Sequence, residues 1–125
     1  MRIELPLLTQ KIVEDQLVSQ ERIVSFDLDT SVYSEERWEQ NFPALAAKEG
    51  LFQYIERVHQ NSLTEKVRVI AMLKAIFCFI ESNDVPTYKE FAKMFNLATP
   101  EYTEKLINSL LKAFRLVLGS SSVKN

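Results

Sequence analysis

The residues whose type and spacing could support chemistry lie in the segment 26–30, which reads FDLDT. An apolar run that ends in Asp-x-Asp is typical of the nucleophile motif of magnesium-dependent phosphatases, in which one carboxylate attacks phosphorus. Such an enzyme also needs a lysine, a hydroxyl and a further acidic pair, gathered by a doubly wound parallel sheet. After Asp29 the only aspartate is Asp84, and no repeated strand–helix units follow. We therefore predict a solvated strand end or helix start here, with no catalytic residue.

The same residues can be compared with a calcium-binding loop. Asp27, Asp29 and Ser31 match its first three ligand positions. Val32, however, stands where glycine is required, and Trp38 stands where a bidentate glutamate should be. The pattern fails at its two discriminating positions, so we predict no metal site.

Two further residues could carry chemistry on their own. His59 is the only histidine and lies near a predicted helix end, where contact with terminal carbonyls is the simpler interpretation. Cys78 is the only cysteine and lies in the most apolar predicted helix, which is typical of an inert core thiol. Two isolated glycines cannot form a phosphate-binding loop. We predict that the protein is not an enzyme and needs no cofactor.

Composition indicates one helical domain. The chain has 125 residues, two glycines and four prolines, which leaves few turn residues for an all-β fold. A net charge of −2 argues against a dominant nucleic-acid surface. The most apolar run, 67–80, contains Arg68 and Lys74 and is too short to span a bilayer. We expect a soluble protein without a signal peptide, and neither nucleic acid nor membrane among its partners.

The first third of the chain mixes two patterns. Residues 1–22 are ambiguous, and helix-compatible spacing of apolar residues favours a helix from about Thr9. From Ile23 to Asp29 apolar and polar residues alternate, which predicts a short half-buried strand or extended arm. Ser34 is a good N-cap for the next helix. Pro43 should interrupt that helix, and Gly50 is suited to a left-handed C-terminal cap.

The remainder reads as helices. After the stripe of 51–58, a capping box of Ser62 and Glu65 predicts the longest and most apolar helix, roughly 63–81. Thr87 with Glu90 begins a short helix, and Thr99 followed by proline begins the last one, which Gly119 should end. The predicted fold is all-α, a small orthogonal bundle of five to six helices, with or without a short N-terminal extended arm or strand. We assign 1–119 to a single helical domain and 120–125 to a flexible C-terminal tail.

The segment 87–111 is also compatible with a helix-turn-helix. Its second helix, however, would place Glu101 and Glu104 where groove-reading residues lie, and these carboxylates repel phosphates. Lys105, Lys112 and Arg115 come later and can equally form a solvated face. A DNA-binding regulator and a small helical protein–protein adaptor remain as alternatives.

One resemblance to a known family is specific. The segments 27–38, DLDTSVYSEERW, and 42–51, FPALAAKEGL, resemble the signature of tail assembly chaperones from siphovirus-type phages of Gram-positive bacteria. These segments cover about a fifth of the chain in strong form. The helical remainder is compatible with that family but unspecific. The resemblance carries over no catalytic residue.

The resemblance implies a role in tail morphogenesis. Such chaperones act in the host cytoplasm, self-associate, and coat the long tape measure protein until tail tube subunits of the major tail protein polymerise, and they leave before the virion matures. Many relatives also have a frameshifted longer form. On this basis we predict partner binding through apolar positions of the last two helices: Phe91, Phe95, Tyr102, Leu106, Leu110 and Phe114. For self-association we predict Tyr33, Trp38 and Phe42.

Overall fold

The computed structural model describes residues 2–60, 63–81 and 83–121 and contains both strands and helices. The prediction of an all-α bundle is therefore wrong, since a long β-hairpin forms the N-terminal part of the chain. In chain order the elements are β1 (Arg2–Val13), β2 (Gln16–Asp27), α1 (Tyr33–Asn41), α2 (Pro43–Ala46), α3 (Leu51–Gln60), α4 (Glu65–Phe79), α5 (Tyr88–Ala92) and α6 (Pro100–Ser121).

The hairpin replaces the helix that was predicted from Thr9. Strands β1 and β2 pair antiparallel over their full length, and the pair Val13 and Gln16 closes a two-residue turn. The turn residues Glu14 and Asp15 have φ values of 51° and 64°. Positive φ at both positions is the geometry whose twist suits a tight hairpin, but Asn-Gly usually supplies it. Because Glu and Asp give no such signal, the sequence pattern did not reveal the turn.

The N-terminal part of β1 belongs to the hydrophobic core. Ile3, Leu5 and Leu7 alternate along β1 and are buried, and α6 packs along this strand. The hydroxyl of Tyr102 donates to the carbonyl of Pro6 at 2.8 Å. Burial raises the pKa of Tyr102 to about 12, so this hydroxyl keeps its proton at any ordinary pH.

Helix α4 occupies the centre of the molecule. Nine of its fifteen residues are buried, from Val69 to Phe79, and it contacts α1, α3, α5 and α6. Beyond its end, Ile80 forms an isolated bridge with Leu28, and the Asp29 N–H donates to the carbonyl of Phe79 at 2.7 Å. This contact fixes the end of β2 against the core helix.

Several predicted helix ends are wrong in detail. Helix α1 begins at Tyr33, and the hydroxyl of Ser34 donates back to the carbonyl of Ser31 rather than capping the helix. Gly50 does not adopt positive φ; instead the carboxylate of Glu35 accepts the N–H of Leu51 at 3.0 Å. Helix α6 passes through Gly119 to Ser121, and at 22 residues it is longer than α4.

Other predicted helix ends are confirmed. The hydroxyl of Thr87 accepts the N–H of Glu90 at 3.1 Å at the start of α5, and Thr99 does the same for Tyr102 at the start of α6. Phe42, before Pro43, leaves helical geometry with φ −135° and ψ 61°. Ser62 of the other predicted capping box and residues 122–125 of the predicted tail lie outside the described residues.

Candidate interaction surfaces

The Asp-x-Asp segment is held by structural contacts. The carboxylate of Asp27 lies 3.5 Å from Arg2, and that of Asp29 accepts the N–H of Ser31 at 2.9 Å. Hydrogen bonds from the backbone and hydroxyl of Ser31 lower the pKa of Asp29. Asp84 does come close, since its carboxylate accepts the N–H of Asp27 at 3.4 Å. Over the described ranges, no three His, Cys, Asp or Glu side chains are grouped to hold a metal ion.

The other two single residues are placed without reactive partners. The Nδ1 atom of His59 is buried and has no hydrogen-bond partner within the described part of the chain. Cys78 is fully buried in α4, where its thiol donates to the carbonyl of Lys74 at 3.5 Å. Burial raises the pKa of this thiol to about 12, which keeps it protonated and non-nucleophilic.

We expect Cys78 to resist thiol reagents in the folded protein. At pH 8 the native chain should react with Ellman's reagent at least about a hundredfold more slowly than the chain in denaturant, because a buried neutral thiol must wait for opening of the fold. Stopped-flow absorbance of the released thiolate, at about 412 nm, measures both rates. Comparable rates would mean that α4 is accessible and that its central position is wrong.

All six residues predicted to bind a partner are core residues of this chain. Phe91 packs its ring against Phe26 and Phe77, and Tyr102 bonds to β1. The side chains of Phe95, Leu106, Leu110 and Phe114 are also buried. In this conformation none of the six offers a surface to another chain, because the hairpin and α4 cover the apolar face of α5 and α6.

The three residues predicted for self-association differ in their exposure to solvent. Tyr33 is 46% exposed, whereas Trp38 is 1% exposed and donates its indole N–H to the carbonyl of Glu49 at 3.0 Å. Phe42 is half-buried and contacts the rings of Trp38 and Tyr88. Trp38 and Phe42 therefore contact each other within the chain.

The end of the hairpin is an exposed apolar surface that the sequence analysis did not identify. Ile12 is 76%, Leu17 is 65% and Ile23 is 60% exposed. Ile12 and Leu17 are opposite each other across the strands and share one face, while Val13 and Val18 are exposed on the other. We call the part from Thr9 to Arg22 the arm; it carries large apolar side chains in water on both faces. Such exposure is typical of interaction sites.

A second apolar surface lies between α4 and the segment that follows α5. A groove of about 180 Å³ is lined mainly by apolar side chains, among them Val69, Leu73 and Ala92. Ile70 and Leu97 line it and are 39% and 41% exposed, and Val67 is exposed one turn earlier on α4. We call this the α4–α5 groove. It could accept one or two large side chains of a partner helix.

The structure does not favour the helix-turn-helix alternative. Glu101 and Glu104 are exposed in the first turns of α6, where groove contacts would be made. Lys105 is held by Glu21 on the arm, at 3.0 Å. None of the helices in the described part of the chain is long and apolar enough to cross a membrane.

Comparison of the chain with known proteins gave no match. No family model, curated protein or solved structure matches it.

Proposed function

We propose that this protein is a phage tail assembly chaperone that self-associates and coats a tape measure protein. The coat keeps that long, aggregation-prone chain in solution in the host cytoplasm until tail tube subunits polymerise, and it then leaves. The sequence resemblance of 27–38 and 42–51 carries the proposal. A frameshifted longer form of the same chain and the major tail protein are further proposed partners.

The two segments that carry the resemblance form one structural unit of the fold. They run from the end of β2 through α1 and α2 to the first residue of α3. Within the unit, the buried indole of Trp38 bonds to the carbonyl of Glu49, and the carboxylate of Glu35 bonds to the N–H of Leu51. These buried contacts hold α1 and α2 against the start of α3.

The α4–α5 groove supports the mode of binding. A tape measure protein is expected to be long and largely helical with apolar stripes, and a helix binds a groove by inserting side chains from one stripe. Ile70 and Leu97 are exposed at the groove, so they can contact such a side chain without any change in the core. A groove this small gives weak contacts singly, and many copies on one chain give strong but reversible coating through avidity.

Co-expression with the tape measure protein of the same phage tests the proposal. We expect the soluble fraction of that protein to rise several-fold with this chain, and to fall back with Ile70→Asp/Leu97→Asp, which places charges in the groove. Leu116→Asp is the matched control, because Leu116 is 43% exposed on α6 away from the groove. Quantitative gels of soluble and pelleted fractions give the readout.

Two results would count against this proposal. If the wild-type chain leaves the solubility of the tape measure protein unchanged, the chaperone function is wrong. If the wild-type chain acts but the groove variant and Leu116→Asp act equally well, the function stands and the groove is not its binding site.

A further inference from the structure

The two edges of the hairpin differ in their free backbone groups. A two-residue turn is closed by a hydrogen-bonded pair, here Val13 and Gln16, and such pairs alternate along the ladder. The even-numbered residues of β1 and the odd-numbered residues of β2 therefore direct their N–H and C=O groups outward. The contacts of Asp27 agree, since its N–H bonds to Asp84 and its carbonyl to Glu81, both outside the hairpin.

The edge of β1 is closed near its base. Pro6 has no N–H, and its outward carbonyl accepts the hydroxyl of Tyr102. The outward carbonyl of Leu8 accepts the side-chain amide of Asn96 at 2.9 Å. These are ordinary ways in which proteins prevent an edge strand from pairing with another chain.

The edge of β2 is open. From Leu17 to Ser25 its outward backbone groups have no backbone partner in the described ranges 2–60, 63–81 and 83–121. The strand is exposed over most of this length and carries Leu17, Val18 and Ile23 in water. A long, exposed, partly apolar edge is a template for pairing with another strand.

We propose that β2 pairs antiparallel with β2 of a second copy, which joins two hairpins into one four-stranded sheet. The two copies are related by a twofold axis that passes between their Gln20 residues. In this register Leu17 is opposite Ile23 of the second copy, Ser19 is opposite Glu21, and Val18 is opposite Arg22. The interface is the same patch on both copies, so it closes as a dimer.

Charge disfavours the registers on one side of this one. Outward backbone groups pair only when odd-numbered residues face odd-numbered residues, so permitted registers differ by steps of two. A shift in one direction places the two Glu21 side chains opposite each other on the axis. A larger shift in the same direction does the same to the two Arg22 side chains. Like charges directly opposite destabilise a sheet, whereas two Gln20 amides on the axis are neutral.

The same register joins the exposed apolar side chains. Ile12 is already opposite Leu17 within one hairpin. Pairing adds Ile23 of the second copy beside Leu17, so three side chains that are 60% to 76% exposed become one row across the sheet. The twofold axis produces this row twice. The permitted register on the other side, with Ser19 on the axis, would place Leu17 opposite Glu21 of the second copy and lose this row, so the row favours the proposed register.

The end of the ladder carries an unfavourable charge contact. The turn residues Glu14 and Asp15 of one copy lie near Ser25 of the other, beside a hollow that is lined by Asp84 and Glu90. Their repulsion is screened by salt. The dimer should therefore become tighter between about 0.05 and about 0.5 M salt, where the Debye length falls below the separations involved.

Sedimentation velocity of the purified protein, from about 1 to about 200 µM, tests the dimer directly, since small interfaces associate in this range. We expect a concentration-dependent dimer, and Ser19→Pro should raise its dissociation constant at least about tenfold by removing an outward N–H. Gln10→Pro is the matched control, because Gln10 is opposite Ser19 and directs its own N–H to the other edge. It should leave the dimer unchanged.

Cysteine cross-linking tests the register without relying on a proline variant that folds. Opposing residues in a non-hydrogen-bonded pair have Cα atoms about 4.5 Å apart, within the disulfide range, so Gln20→Cys should form a disulfide dimer on mild oxidation. Ser19→Cys should not, because the two Ser19 Cα atoms would be more than about 7 Å apart. Wild-type protein is the blank, since Cys78 is buried.

Specific results would overturn the proposed sheet. They are a wild-type chain that is monomeric throughout the range, equal loss of the dimer in Ser19→Pro and Gln10→Pro, or a Gln20→Cys chain that cross-links no faster than Ser19→Cys. The sheet goes beyond the chaperone proposal and is tested without a tape measure protein. A monomer refutes the sheet and the self-association in the chaperone proposal, whereas unchanged tape measure solubility with an intact dimer refutes the chaperone function alone.

Discussion

Replacing Phe91 by alanine should destabilise the protein by about 3–5 kcal/mol, the usual loss for a fully buried aromatic side chain. Phe91 is 0% exposed, and its ring centroid lies 5.6 Å from that of Phe26, 5.8 Å from Phe77 and 5.1 Å from Phe95. It therefore connects β2, α4 and the segment after α5. The cavity left by alanine would border three elements that cannot close together without moving the hairpin.

Urea unfolding, followed by the fluorescence of Trp38, measures this loss as a lower midpoint at unchanged slope. Leu97→Ala is the matched control: Leu97 is nearby and 41% exposed, so it should lose less than about 1 kcal/mol. A similarly small loss for Phe91→Ala, together with weaker binding to a tape measure protein, would restore Phe91 as a partner-binding residue and contradict its place in the core.

The position of Phe91 illustrates what an apolar stripe can and cannot reveal. The spacing of large apolar residues in 88–95 and 102–114 correctly predicted α5 and α6 and which face of each is apolar. The same spacing cannot say whether the covering surface comes from the same chain or from another. Here β1 and α4 cover that face, so the residues that were predicted to bind a partner lie in the core of the chain itself.

The hairpin could not be read for a different reason. A spacing that fits one face of a helix is found for Ile12, Val13, Leu17 and Val18. All four side chains are exposed in the structure, so this spacing did not mark a buried face. The alternation of Ile3, Leu5 and Leu7 was the usable signal for a strand. Without an Asn-Gly turn, nothing local marked Glu14 and Asp15 as the reversal point.

The helix starts at Thr87 and Thr99 were predicted correctly, whereas the ends predicted at Ser34, Gly50 and Gly119 were not. Thr87 with Glu90 and Thr99 with Tyr102 depend on residues three positions apart, and both bonds are formed. Gly50 failed because a distant residue, Glu35, satisfies the start of α3 and removes the need for a left-handed glycine. Caps that are completed by a remote side chain are not visible in a local pattern.

Trp38→Ala should be as destabilising as Phe91→Ala, about 3–5 kcal/mol, because Trp38 is 1% exposed and its ring lies 4.7 Å from that of Tyr54 and 5.5 Å from that of Phe42. Trp38→Phe keeps much of this packing but leaves the carbonyl of Glu49 without its indole donor. That change should cost about 1–3 kcal/mol. Thermal unfolding followed by circular dichroism measures both, since these variants lack the only tryptophan.

Tyr33→Ala is the control on the same helix, and with Tyr33 46% exposed it should lose less than about 1 kcal/mol.

Dilution of the wild-type protein tests whether Trp38 takes part in self-association. If copies meet through the open edge of β2, Trp38 stays in the core whether or not the dimer forms, and its blue-shifted emission should not move on dilution. A red shift on dilution, at concentrations where the dimer dissociates, would place Trp38 in the interface between copies and contradict its role as a core residue of α1.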